Sequence, residues 1–389
     1  MRHVTDAEPA WSLLRPGNIL VAQLIRRGPS PEVIAGTEAE AVSIRYSLDA
    51  PYAGGANAPA AQGELKARAK STDFVSDPIA VLPFTSEGVF APYPTATVRA
   101  VDKSGRLLAE TRTVLPVSTE IGCRNCHTGP WKTGGKAGIS PQTAGNILET
   151  HDRRSNTRLK EQADEGGTVD CLSCHGVVPG LVNISAAVHG FHATMKLKGA
   201  EACGNCHPSS DKGSTQFFRD FHAMWGLDCT RCHGGMEQHA LSLLRAEADN
   251  GNAAAARRML HVSRSAQPPI TDDKSILPRA PWVNLPHCTG CHDFKTKPDP
   301  MTASAVNKWT KGSEDLFSNA LDNTGNLRCP SCHGSPHAVY PATSPAGDDR
   351  DNLQPLQYQK AAMPLGKDNN CAVCHTVSMD YFIHHDRVE

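Results

Sequence analysis

No stretch of this chain approaches the roughly 20 consecutive apolar residues that cross a bilayer, so nothing in it reads as a membrane span. Charge of one sign is missing too. With 39 Lys and Arg against 40 Asp and Glu, the formal net charge is −1, without the basic footprint of a nucleic-acid binder. Aromatic residues make up 5% and apolar residues 39% of the 389 positions. That is thin for a chain long enough for two or three domains. The start, Met1-Arg-His-Val-Thr-Asp6, lacks the apolar core of a secretory signal. Upstream of Cys123 there is no cysteine and a single histidine, His3.

What is present is concentrated in one pentapeptide. Cys-x-x-Cys-His occurs seven times, beginning at Cys123, Cys171, Cys203, Cys229, Cys288, Cys329 and Cys371. The second cysteines are Cys126, Cys174, Cys206, Cys232, Cys291, Cys332 and Cys374, followed by His127, His175, His207, His233, His292, His333 and His375. Together the copies use all fourteen cysteines. The pattern reads as a c-type haem attachment site. Two intervening residues place both sulfurs on one side of a short turn, where they can form thioethers to the two vinyl groups of one haem. The next residue then comes under the ring as the proximal iron ligand. Redox dithiols and zinc sites also use Cys-x-x-Cys, but neither they nor a disulfide framework requires a histidine after every second cysteine. The expectation is seven covalently bound haem c groups.

From Cys123 to His375 the 253 residues allow about 36 per haem, far too few for separate haem domains. The haems would pack against one another with polypeptide wrapped around them, which accounts for the thin apolar content. Each brings two propionates, and many of the Lys and Arg residues are expected to pair with these.

The expected organisation is a β-rich docking or assembly domain over 1–118 and a heptahaem electron-transfer domain over 119–389. In the first, Asn18–Arg26 is an apolar run, and Val42, Ile44 and Tyr46 alternate with Ser43, Arg45 and Ser47, the period of a half-buried strand. Segments 95–102 and 107–114 flank Lys103-Ser-Gly105 as a hairpin. Residues 48–94 are rich in Ala, Gly and Pro and read as a meander, and the whole as a small all-β, sandwich-like domain. The second domain reads as loop-rich with mainly short helices. Gaps between first cysteines of 48, 32, 26, 59, 41 and 42 residues exclude equal repeats. The longest gap holds a helix candidate from Met236 to about His261, with a break signal at Asn250-Gly251.

A six-coordinate haem needs a second axial ligand. Seven of the 18 histidines are proximal, which leaves eleven, enough for His on both sides of every iron. The eight methionines are alternatives. The distal set selected is His151, His189, His192, His222, His337, His384 and His385. His189 and His192 are spaced i, i+3, so on a helix both rings leave one face toward two irons. His239, His261 and His287 are reserves. His3 reads as a tail residue or as a ligand offered to a neighbouring subunit.

These features resemble the multihaem c-type cytochromes of respiratory and extracellular electron transfer. The resemblance rests on the junction Leu108–His127, His151-Asp152, His189/His192, Cys332-His333-Gly-Ser-Pro-His337 and His384-His385. It implies conduction, periplasmic shuttling or polymerisation into extracellular filaments, with other redox proteins or extracellular acceptors as partners. Haem attachment to this motif in bacteria and archaea follows export, so the expected location is periplasmic or extracellular, with the signal removed from the sequence. The expectation is an electron carrier, not an enzyme. The alternative is a multihaem oxidoreductase for nitrogen or sulfur oxyanions with one open iron. The Cys-x-x-Cys-Lys motif of multihaem nitrite reductases does not occur.

Overall fold

The computed structural model describes residues 2–378 apart from 4–10, 13–17, 50–61, 69–70, 80, 82, 86, 88, 119, 130–139, 177, 209–212, 214, 282, 294–295, 311–326, 343–352 and 368–369. The alternating segment forms a strand, with Ile44 and Tyr46 buried and Arg45 exposed. It belongs to an antiparallel sheet of six strands: β1 (Val21–Gln23), β2 (Val42–Leu48), β3 (Gln62–Ala67), β4 (Asp73–Ser76), β5 (Thr95–Asp102) and β6 (Leu107–Val114). Their order is β6-β5-β2-β3-β4-β1. At the β5–β6 turn the Gly105 amide donates to the Asp102 carbonyl at 2.9 Å. Gly105 has φ +85°, which a residue with a Cβ adopts only at a cost.

The sandwich expectation is corrected. Among the described residues the other strands form only two-stranded, two-residue pairs, and the six-stranded sheet curls as a half-barrel. The reason lies in the stretch read as a meander, where β3 and β4 lengthen the same sheet instead of starting another. Curling brings Ile44, Tyr46, Leu65, Phe74, Val81, Val98, Leu115 and Val117 into one buried cluster. The run Asn18–Arg26 also divides. Val21–Gln23 joins the sheet, whereas Ile25–Arg26 pairs with Glu32–Val33.

The N-terminal segment does not read as a free tail either. Arg2–His3 pairs in parallel with Val117–Ser118, and Trp11–Ser12 with Val169–Asp170. The second pairing crosses from the β-rich region into the motif-bearing region.

Beyond the sheet the described residues form mostly short helices, with a few longer ones. Helix α1 (Pro141–Ser155) was not expected. Its start carries a recognisable signal, since the Ser140 hydroxyl accepts from the Thr143 amide at 3.2 Å and Pro141 takes the first turn. Helix α2 (Ile184–His192) begins with the Asn183 side chain accepting from the Ala186 amide at 2.9 Å. The long candidate splits at Asn250-Gly251 into α3 (Met236–Asp249) and α4 (Ala253–Ser265).

Helices α2, α3 and α4 enclose a core of Leu241, Leu243, Leu244, Met259 and Val262. Gly190 lets α2 approach α3, because a Cβ there would meet Leu244 Cδ1 at 3.2 Å. Leu241 is fully buried, so Leu241→Ala should lower stability by about 2–5 kcal/mol, read as a shift of the denaturation midpoint by far-UV circular dichroism.

Among the described residues the sheet is fixed to the rest on both sides. Helix α5 (Leu353–Gln359) covers edge strand β6: the Arg112 amide donates to Gln357 Oε1 at 2.9 Å, and Gln357 Nε2 donates to the Arg112 carbonyl at 3.1 Å. On β4, next to the other edge, the two carboxylate oxygens of Asp73 accept from Arg328 Nε and Nη2 at 2.7 and 2.6 Å.

Candidate functional site

Every Cys-x-x-Cys-His segment folds as about one helical turn. Cys229–His233 and Cys329–His333 are α-helical, Leu172–His175 is α-helical, and Cys123–Asn125, Cys288–Gly290 and Cys371–Val373 are 3-10 turns. Cys203 ends the helix Gly199–Gly204. In five copies the histidine amide donates to the carbonyl of the first cysteine, at 2.8–3.0 Å. A closed turn puts residues i, i+3 and i+4 on one face, so both thiols and the histidine are presented together. All fourteen thiols are free of disulfides, and among the described residues no group of three or more His, Cys, Asp or Glu is gathered around a bare metal position.

The second feature is a set of ring pairs. His175 faces His151 with centroids 6.3 Å apart, His207 faces His189 at 6.1 Å, His292 faces His222 at 6.2 Å, and His233 faces His337 at 6.0 Å. Each pair joins one motif histidine to one selected distal histidine. An imidazole nitrogen binds a first-row metal at about 2.0 Å and lies about 1.15 Å from its ring centroid, so two imidazoles across one metal have centroids about 6.3 Å apart. The interplanar angles run from 11° to 86°, as rotation about the ligand–metal–ligand axis allows. The donor set and separations therefore fit an iron with histidine on both sides.

His192 belongs to the same scheme. Burial, and then nearby His127, lower its proton affinity. With His189 on the same helix, α2 thus carries one histidine that faces His207 and another near His127. His384 and His385 lie outside the described residues, and the partners of His333 and His375 are not among the ring pairs above. His261 is exposed near the end of α4.

A ligand ring is oriented by what its other nitrogen does. Nδ1 lies against Asn146 Oδ1 in His127, against the Val182, Ser185 and Val188 carbonyls in His175, His189 and His192, all at 2.8 Å, and against the Pro29 carbonyl at 3.3 Å in His375. A carbonyl can only accept, so Nδ1 carries the proton and Nε2 keeps its lone pair for a metal. Asp220 plays this part for His222 at 3.0 Å and raises its pKa. The same carboxylate caps the helix Phe221–Met224.

Two reserves carry the opposite tautomer. Arg279 donates to His239 Nδ1 at 3.3 Å, and the Thr289 amide donates to His287 Nδ1 at 3.2 Å, which leaves the proton on Nε2. His239 also lies only 4.5 Å from His189 and 5.4 Å from His233, too close to face either across a metal. Burial keeps four of the paired rings neutral, as metal binding requires. It pushes His189 and His207 down to about 4, His233 down to about 3, and His337 well below its usual value.

The motifs also touch in sequence across the fold, in an order that differs from the chain. Helix α1 carries both His151, which faces His175, and Asn146, which holds His127, so it joins the second motif to the first. The Gly122 amide donates to the Cys206 carbonyl at 2.8 Å and Asn125 to the Asn205 carbonyl at 2.8 Å, joining the first to the third. Cys203 lies near Cys229, Cys288 near Cys329 and Cys232 near Cys291, close enough for the second thiol of each pair to shift the first one's proton affinity. The resulting line runs two, one, three, four, five, six. Asn146, Asp220, Arg279 and Trp309 were not identified from the sequence. Only Asp220, two residues before His222, carried a local signal.

No family model matches the chain, and neither a curated protein nor a solved structure matches it.

Proposed function

We propose that this chain is an exported heptahaem c-type cytochrome that carries electrons through closely spaced, bis-histidine haems, without a catalytic site. The observation that carries the reading is the set of four pairs in which a motif histidine faces a second histidine at 6.0–6.3 Å. When bound, haem supplies reversible one-electron iron chemistry, at low potential with two histidine ligands relative to His/Met.

The chain's own residues define the rest. The cysteine pairs would hold the group covalently, and where two histidines face each other no position would be left for a substrate. Nδ1 bonds to carbonyl, amide and carboxylate oxygens hold the rings in orientation, and burial excludes water from the central pairs. Contact between successive motifs supports a line with the His151–His175 pair at one end and the sixth motif, against the sheet, at the other. The half-barrel sheet is assigned to docking or assembly, with redox proteins, extracellular acceptors or further copies of this chain in a filament as partners. Among the described residues no helix is long and apolar enough to cross a membrane.

The test is the exported, mature protein. Pyridine haemochrome assay and intact mass should give seven covalent haems per chain, and EPR of the oxidised protein should be low-spin throughout. A stoichiometric high-spin component that binds CO after reduction would instead identify an oxidoreductase with an open iron.

A further inference from the structure

Between the two central pairs lies a cation that the histidine scheme does not use. Arg279 sits with its guanidinium 5.0 Å from the centre of the Trp309 ring, donates Nη1 to His239 and Nε to the Asn284 carbonyl at 3.4 Å. Among the described residues no carboxylate reaches it, and desolvation pulls its pKa down to about 10. Its charge acts on His189, His233 and His337 alike. Trp309, 6.0 Å from the His233 ring, buries an indole N–H that has no acceptor among the described residues. A desolvated cation without an anion is costly, and a buried donor without an acceptor adds to that cost. The two groups are neighbours, and one acceptor of negative charge within reach of both would satisfy them.

We propose that Arg279 and Trp309 hold a carboxylate beside the His233–His337 and His189–His207 pairs, and that the Arg279 charge raises the reduction potential of the irons there. This rests on the haem reading above. Haem itself offers a tethered carboxylate in its propionate, and a free carboxylate from solution has the same chemistry. A nearby positive charge favours the state with one more electron.

The experiment is potentiometric titration of the full holoprotein, followed by visible spectra, for wild type, R279Q, R279K and W309F. In R279Q the haem count should stay at seven while one or two couples fall by about tenfold in their reduction equilibrium, about 59 mV for a one-electron change. R279K should keep most of the wild-type position. W309F keeps the ring but removes the donor, and should move the same couples downward by less. Should R279Q fail to accumulate, W309F alone decides. A titration curve indistinguishable from wild type, at seven haems, overturns the proposal. Replacing chloride by acetate at fixed ionic strength distinguishes the sources: unchanged wild-type potentials assign the site to the propionate, and acetate-dependent ones to a free carboxylate. A wild-type protein without covalent haem would fail the functional reading and leave the titration without an object, so the two failures are distinct.

Discussion

His189→Ala is expected to turn one site in seven high-spin and able to bind CO after reduction, with all seven haems still attached. His189 stands 6.1 Å from His207, the separation of two rings across one metal, and its Nδ1 donates to the Ser185 carbonyl at 2.8 Å, so Nε2 is the free ligand atom. Alanine is the best helix former and keeps α2 intact. His239, the nearest other ring at 4.5 Å, cannot take over without a tautomer change, because Arg279 donates to its Nδ1. The contrast gives the control: His239→Phe should leave all sites low-spin even though it removes a ring in contact with His189. EPR amplitude and CO difference spectra read both variants. An entirely low-spin His189→Ala protein, or a high-spin His239→Phe protein, would reverse the assignment of these two residues.

That contrast also marks how far the sequence could be read. Attachment needs contiguous residues, so Cys-x-x-Cys-His is complete in the chain. The opposite ligand comes from a remote helix, and only its local context is visible. Context pointed to the i, i+3 pair His189/His192 and to His222, seven residues before Cys229. It could not rank His239, because the Arg279 bond that sets its tautomer comes from a distant segment. The same limit appears in the fold. Strands β2, β5 and β6 were legible through alternation and the Gly105 turn. Strand β3 was not, since Leu65 is its single fully buried residue and the rest of Gln62–Ala67 carries no apolar period. The spatial order of the motifs was hidden for a related reason: α1, which links the second motif to the first, is mostly polar and shows no clear apolar period.

The sheet should matter to the motif array through one ion pair, and its loss should be the largest single stability effect outside the cores. Asp73 is fully buried on β4, and the Arg328 side chain is 14% exposed. Arg328 stands at the N-terminal cap of the Cys329–His333 turn, so the pair clamps the sixth motif to the sheet. Gln23 on β1 reinforces the joint, with Oε1 accepting from the Arg328 amide at 2.9 Å and from the Ser331 hydroxyl at 2.8 Å. Asp73→Ala takes both carboxylate oxygens away from a buried guanidinium, a change that costs about 3–5 kcal/mol in comparable buried pairs. Arg68, 3.6 Å from Asp73 and more exposed, adds a second cation to the vacated space. Chemical denaturation should show the midpoint falling by that amount, and limited proteolysis should cut first between the sheet and the sixth motif. The pair Asp73→Leu with Arg328→Met removes both charges and should recover most of the loss. If it does not, the joint depends on the Gln23 bonds and the strand geometry, and the ion pair is secondary to them.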